Sequence, residues 1–548
     1  MGVSHADEEG AATLGAAPFT RKATGLVREL SLLDMITYNA AVATPLGVAL
    51  AIALFYVWAA LPGANLTIAF VLGLIGIIFP IVTFALLSSA MPRVGGDYAY
   101  ISRIMHPSLA LASNLCYLIV ALMGSAFVAV AGVRLVIAPT LAIIGVLGGY
   151  SSWVNASTTI SGNWWTFFLG SAVIVAAAAV AVMGTKLAGR IMTILYIVSF
   201  VGSIITLLFL LFTSRSSFIS NLNSFAQPFT HVRDTYHATI AAGAKAGLNY
   251  PDKTGYSTKS TIGAIYVTYG LLVSAYAGVY LAGEMKGAGR RRRQLQAVLC
   301  SGYGQGLLIL ISTLAFIHTV GLDFLIASSN GSLAVPAAPY ALFFVGIVSG
   351  STLIGALLGV ALICSIPPWL YANAAIAYRV PFAWSFDGLS PSRFTKVNER
   401  THTPVLAIIV MTVLCIVATA WAAFTTSFLT YFSYLVLFGY FTIIMVGFAG
   451  FFMPSRLPAI YNGSPADWRV GGVPVLPVMG ALTVVWNVFI VGLALYFHEA
   501  IGLPDLWKPI GALVLIAVVG VGYYYAARAI QRGRGINVDL AFKTIPPE

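Results

Sequence analysis

Residues 33–57 read Leu33-Asp34-Met35-Ile36-Thr37-Tyr38-Asn39-Ala40-Ala41-Val42-Ala43-Thr44-Pro45-Leu46-Gly47-Val48-Ala49-Leu50-Ala51-Ile52-Ala53-Leu54-Phe55-Tyr56-Val57. The only charge in this stretch is Asp34, at its start. A helix needs roughly 20 apolar residues to cross the hydrocarbon of a bilayer, so the stretch is long enough to span. It is also interrupted. Pro45 removes a helical N–H, and Gly47 tolerates dihedrals that other residues avoid. A break inside a membrane frees N–H and C=O groups that an unbroken helix consumes. Those groups and the half-helix dipoles can hold a carboxylate, an ammonium or an ion without a buried charged side chain. A plain proline kink is the competing reading.

Eleven similar stretches follow, near 66–90, 108–138, 164–183, 190–213, 262–283, 295–319, 345–378, 405–424, 428–453, 476–498 and 507–529. Of the 548 residues 59% are hydrophobic and 8% charged, where a soluble domain carries roughly 25% charged residues. That excludes a cytosolic enzyme, a disulfide scaffold and a disordered chain. The fold class is therefore an all-α integral membrane protein with about twelve transmembrane helices. Trp58, Tyr150, Trp164, Trp165, Tyr340 and Trp507 stand at span edges, as an interfacial aromatic belt requires. The four cysteines (Cys116, Cys300, Cys364, Cys415) lie in apolar stretches with no CxxC pair, which argues against a disulfide framework or a zinc site.

A net charge of +12 would suggest nucleic acid in a soluble protein. Here its distribution matters more. With the N-terminus inside, the outer side keeps only Arg134, Arg215, Arg233, Lys245, Lys253, Lys259 and Lys508, which leaves 22 of the 29 basic residues inside. Basic residues concentrate on the cytoplasmic side of membrane proteins. The expectation is a multi-pass plasma-membrane protein with cytoplasmic tails at 1–30 and 530–548, partnered by lipid and a small solute and not by nucleic acid. Asp7, Glu8, Glu9 and Glu29 leave no room for a cleaved signal in the first thirty residues. Sequons at Asn65, Asn155 and Asn330 fall outside and Asn462 inside. The longest outer loop, 214–261, is polar and carries no assigned role.

Catalytic motifs are missing. There is no Walker A loop, no HExxH, no GxSxG, and no His, Cys and carboxylate cluster within a span. Catalytic and metal residues are therefore expected to be none. Transporters built on internal repeats bind substrate where paired helices break near the midplane. Span 6 offers such a counterpart to span 1, with Gly270, Leu272-Val273-Ser274-Ala275-Tyr276 and Gly278. Pro80 in span 2 and Pro367-Pro368 in span 8 interrupt helices too, so the breaks alone do not single out a site.

Three inner connections add a resemblance. Met91-Pro92-Arg93-Val94-Gly95-Gly96-Asp97-Tyr98-Ala99-Tyr100-Ile101-Ser102-Arg103 follows span 2, and Gly283-Glu284-Met285-Lys286 follows span 6. After span 8 come Arg379, Phe386-Asp387-Gly388-Leu389-Ser390-Pro391, Lys396-Val397-Asn398 and Thr403-Pro404. In order, they resemble the "P-R-x-G-G-x-Y-x-Y", "E-x-K" and "R … D-G-x-x-P … V-N … T-P" segments of amino acid permeases in the amino acid–polyamine–organocation superfamily. The resemblance covers about 30–530. It implies two inverted five-helix repeats, 33–213 and 262–453, flanking the outer loop 214–261 and followed by two further helices in 476–529.

It also implies where substrate sits. The family's helix 1 break falls on Pro45-Leu46-Gly47 and its helix 6 break on Ser274, with one glycine replaced in each. Ala43, Thr44, Pro45, Leu46 and Gly47 would then bind the substrate's polar groups with Ser274, and Tyr276 would serve as wall or gate. Ser365 and Asn373 in span 8 are candidates to line the path or hold an ion, or simply to bond helices together. No acidic residue lies near these positions, so a neutral amino acid is expected. A polyamine or other organic-cation carrier and a transport-inactive amino acid sensor are the alternatives. No cofactor is implied. Span 5 has no mid-membrane Lys and span 8 no adjacent Ser/Thr pair, so proton or sodium symport, exchange and facilitated diffusion stay open. Among the remaining residues, Arg290 to Arg293 read as a solvated inner loop and Arg134 as snorkelling. Asp34 and Glu284 read as partners in salt bridges, and Gly346-x-x-x-Gly350 and Gly355-x-x-x-Gly359 as packing faces.

Overall fold

The computed structural model describes residues 26–248, 250–335, 338–425 and 428–543. The expected N-terminal tail lies largely outside them, including Arg21 and Lys22, whereas 530–543 of the expected C-terminal tail is described. Among the described residues, twelve helices are long and apolar enough to cross a membrane. Numbered as spans 1 to 12, they are Leu32–Ala60, Leu66–Ala90, Pro107–Gly148, Asn163–Val182, Thr185–Leu211 and Thr258–Glu284, then Arg291–Val320, Thr352–Phe386, Val405–Phe424, Ser433–Arg456, Val475–Tyr496 and Trp507–Gly533. Strand among the described residues is confined to a small hairpin, Arg469–Val470 against Val473–Pro474. The chain is the all-α membrane protein its hydropathy pattern requires.

Several boundaries differ from the hydropathy pattern, among them the end of span 8, at Phe386 and not near 378; two of them have a local cause. Span 3 continues to Gly148 because a π-helical turn, Gly132–Ile137, precedes Pro139, and the proline falls in the first turn of the helix Ala138–Gly148, where no N–H is needed. Span 8 starts at Thr352 because Ala341–Ser349 is a separate helix ended by Gly350 at φ +60°. A side chain there would be strained although the surrounding space is open. Gly350 therefore terminates a helix and is not a packing glycine. Its supposed partners do pack: Gly346 and Gly355 abut Leu147, and Gly359 abuts Thr140, all on span 3.

Spans 1 and 6 are the most deeply buried and span 12 the least. Val48, Leu50, Ile52 and Leu54 of span 1 are enclosed on every side, whereas Ile409, Val485 and Val518 on spans 9, 11 and 12 stand exposed. With lipid as the solvent, such outward apolar residues need no protein partner. The segment between spans 5 and 6 is largely helical (Arg215–Thr230, Thr235–Lys245, Pro251–Thr254). It is held down by Tyr236, whose ring stacks on Phe324 at 4.6 Å and whose hydroxyl donates to the Val320 carbonyl at 3.0 Å.

Candidate functional site

Span 1 breaks where Pro45 predicts. Helix Leu32–Val42 ends, Ala43 and Pro45 adopt extended dihedrals, and helix resumes over Leu46–Ala51. The break is tied to its neighbours. The Ala43 N–H returns to the Asn39 carbonyl at 3.2 Å and the Thr44 N–H donates to the Leu271 carbonyl at 3.1 Å. The Thr44 carbonyl accepts from Gln305 Nε2 at 3.1 Å. The amides of Leu46 and Gly47, at the restart, find no backbone or side-chain acceptor among the described residues.

Span 6 tightens instead of opening. Its α-helix ends at Leu272 and a 12-residue 3-10 helix runs from Val273 to Glu284. Such runs seldom exceed 3–4 residues, so tertiary contact must hold this one. Asn39 Oδ1 accepts from the Gly278 N–H at 2.6 Å, and Asn39 Nδ2 donates to Ala297 O of span 7 at 3.3 Å. A Cβ at 278 would sit 2.6 Å from that oxygen and 2.5 Å from Met35 Cε. Gly278 is thus required by the close approach of span 1. Asn39 is not legible in the sequence because one asparagine in an apolar span carries no positional signal.

The two interrupted spans meet at a cavity of about 60 Å³, room for roughly four to six waters at 10–15 Å³ each. Of the residues singled out in the sequence, Thr44, Ser274, Tyr276 and Asn373 line it; Ala43, Pro45, Leu46, Gly47 and Ser365 do not. Gly47 faces the Leu362 side chain. Ser365 donates to the Leu362 carbonyl at 2.6 Å, at the turn that divides span 8 before Pro367. The remaining walls include Tyr117, Phe127, Trp369 and Tyr440, none of them anticipated. Tyr276 is held in place by stacking on Phe84 at 3.8 Å.

Polar groups in this cavity are few, and some are unspent. The buried Tyr440 hydroxyl has no hydrogen-bond partner among the described residues, and the Thr44 and Ser274 side chains line the same space. Asn373 spends Nδ2 on the Trp369 carbonyl at 3.0 Å and leaves Oδ1 facing span 3. No charged side chain lines the cavity among the described residues. Buried polar atoms are costly to leave unpaired, so the arrangement suits a small solute with hydrogen-bonding ends.

Charged residues gather where the N-terminal segment docks, here termed the N-terminal face. The Leu30 N–H donates to the Glu284 carbonyl and the Lys286 N–H to the Leu30 carbonyl, both at 3.0 Å. Glu284 is gripped by Arg379 of span 8 at 2.6 and 2.9 Å and by Thr185 of span 5 at 2.8 Å. Asp387 takes Arg103 at 2.7 and 2.9 Å and the Tyr98 hydroxyl at 2.8 Å. The salt bridge expected of Glu284 is present. Asp34 instead caps its own helix with Ser31 and accepts from Thr193 at 3.0 Å. Among the four arginines, Arg293 donates to the Lys286 carbonyl at 2.8 Å and Arg291 lies 5.1 Å over the Trp468 ring. At the opposite face Arg134 is spent on neutral acceptors, Thr166, Asn163 and the Ala423 carbonyl.

A family model described as amino acid permease matches residues 35–521. No curated protein matches the chain.

Proposed function

The chain belongs to the amino acid permeases of the amino acid–polyamine–organocation superfamily, and from that premise we propose that it is a secondary active transporter of small neutral amino acids. Membership makes it a transporter of amino acids or related organic substrates rather than an enzyme. The observation that carries the finer reading is the uncharged cavity at the span 1 break, with its unspent polar atoms. Burying a cation there without a counter-charge would be expensive, whereas a zwitterion brings its own. The Ser274 and Tyr440 hydroxyls, which line the cavity, can donate to a carboxylate, and Thr44 and Asn373 offer oxygens to an ammonium. The volume suits an amino acid of about five or six non-hydrogen atoms, such as glycine or alanine. Tyr276 then walls the side chain, and alternating access proceeds around this site, with the N-terminal face on the cytoplasmic side of the plasma membrane. Ser365 serves the turn in span 8 through its bond to the Leu362 carbonyl.

The aromatic walls favour one second reading, an organic cation held by cation–π contact with Tyr117, Tyr276 or Trp369. Uptake into proteoliposomes separates the two. Glycine or alanine should accumulate and compete with each other. Transport of an amine alongside failure of every proteinogenic amino acid would overturn the neutral reading. Imposing a pH gradient, a sodium gradient or internal amino acid in turn then identifies the coupling.

A further inference from the structure

Three carboxylates are fully buried among the described residues: Asp97, Glu284 and Asp387. Glu284 has Arg379 and Asp387 has Arg103. Asp97 has no ion pair among the described residues. It opens the short helix Asp97–Ile104 in the connection between spans 2 and 3, outside the spanning segments. It accepts from the Tyr280 hydroxyl on the 3-10 half of span 6, and from Asn114 Nδ2 at 2.7 Å and Ser113 Oγ at 3.2 Å on span 3.

The groups around it are neutral. Titratable neighbours are Tyr276 and Tyr280 from span 6, Cys116 and Tyr117 from span 3, and Tyr100 of its own helix. Span 8 presents Trp384, whose Nε1 donates to Asn114 Oδ1 at 2.7 Å, and span 10 presents Thr442, which donates to the Ser113 carbonyl at 3.0 Å. Arg103, on the same short helix, is committed to Asp387. Burial pushes the Asp97 carboxyl up to about 6, although its three side-chain donors pull the other way.

Rings connect this carboxyl to the cavity. Tyr280 stacks on Tyr117 at 4.8 Å, and Tyr117 lies 6.2 Å from Tyr276. Tyr117 and Tyr276 both line the cavity. A phenol can donate to a carboxylate or accept from a carboxylic acid, so the Tyr280 contact survives in either protonation state.

We propose that Asp97 is a proton site of the transport cycle, neutral while the 3-10 half of span 6 lies against it and ionised when that half moves away. The proton passes between water at the N-terminal face and a carboxyl oxygen, with no other bond made or broken. The proposal rests on the transporter reading, in which spans 1 and 6 move relative to their neighbours. Because coupling is reciprocal, a substrate that holds Tyr117 and Tyr276 in place favours neutral Asp97, and protonation favours bound substrate. With a midpoint at about 6, the neutral fraction falls from about nine tenths at pH 5 to about one tenth at pH 7.

The test is alanine counterflow in proteoliposomes at equal pH on both sides, from pH 5 to 8. Wild-type protein should change rate at least about threefold with a midpoint near 6, and Asp97→Asn should be flat. Tyr280→Phe should shift the midpoint upward, since the ionised form loses a donor. A flat wild-type profile, or an unchanged one in Asp97→Asn, would overturn the proposal. Infrared difference spectra of the purified protein give a readout free of transport: a protonated-carboxyl band should titrate near pH 6 in wild type and be missing in Asp97→Asn. If that band is missing in wild type the proton site is wrong. If it titrates as stated while no amino acid moves, the transporter reading fails instead.

Discussion

The Glu284–Arg379 pair clamps span 6 to span 8 at the N-terminal face, and its worth can be measured by a four-variant cycle. Glu284 is 1% and Arg379 7% exposed, so neither charge has water to fall back on. Arg379→Met leaves Glu284 with the Thr185 hydroxyl alone and also removes the Arg379 bond to the Ala375 carbonyl at 3.0 Å. Glu284→Leu leaves a guanidinium facing no carboxylate. Removing one partner of a buried pair costs about 3–5 kcal/mol, whereas replacing both by apolar residues of similar volume is often neutral or stabilising. The expected outcome is two singles that each lose about 3 kcal/mol or more and a double variant near wild type, hence a coupling energy as large as the two single losses together, about 6 kcal/mol or more. Denaturation of detergent-purified protein reads all four. Singles that simply add, with a coupling below about 0.5 kcal/mol, would refute the view that the cost lies in the stranded charge.

Gly278→Ala should destabilise by about 1–3 kcal/mol through overpacking, because its Cβ would meet Met35 and Asn39 at 2.5 and 2.6 Å; a melting temperature equal to wild type would contradict this. Tyr440→Phe should leave stability unchanged or improve it by up to about 1 kcal/mol, since the hydroxyl it removes has no partner among the described residues. The same change should weaken amino acid binding about tenfold by calorimetry if substrate is that partner, and equal affinity would exclude Tyr440 from the site. Asp97 makes a signed prediction for stability. A carboxyl raised in the folded state contributes stability that is fully present below its ordinary pKa of 3.8 and is lost as pH rises through about 6, on the order of 3 kcal/mol in all. Subtracting the Asp97→Asn melting profile from wild type over pH 4 to 7 should isolate that loss, and a zero difference would refute it.

Spans were legible because burial in lipid is decided by composition over some twenty residues, which neighbours in space cannot alter. The span 1 break was legible for a related reason: Pro45 lacks an N–H wherever it is placed. Features set by contacts distant in sequence were not. The 3-10 half of span 6 depends on Asn39 reaching Gly278 across 239 positions, and nothing in Val273–Glu284 itself demands it. Tyr440 and Tyr117 are two of 26 tyrosines, and only the fold turns them toward the cavity. Gly350 was misread because four-residue spacing serves helix packing and helix termination alike, and only its positive φ separates them.

The charges tell the most about mechanism. Among the described residues, each fully buried charge lies at the N-terminal face, and none lines the cavity. Glu284 and Asp387 sit in matched pairs whose net charge is close to zero, so separating them requires water on both partners at once. Asp97 needs only one proton to become as neutral as those pairs. Opening that face therefore has two kinds of barrier: ion pairs that must be pulled apart, and a lone carboxyl that a single proton neutralises. A transporter built this way can stay firmly closed toward the N-terminal face when Asp97 is protonated, and it loses that hold above about pH 6.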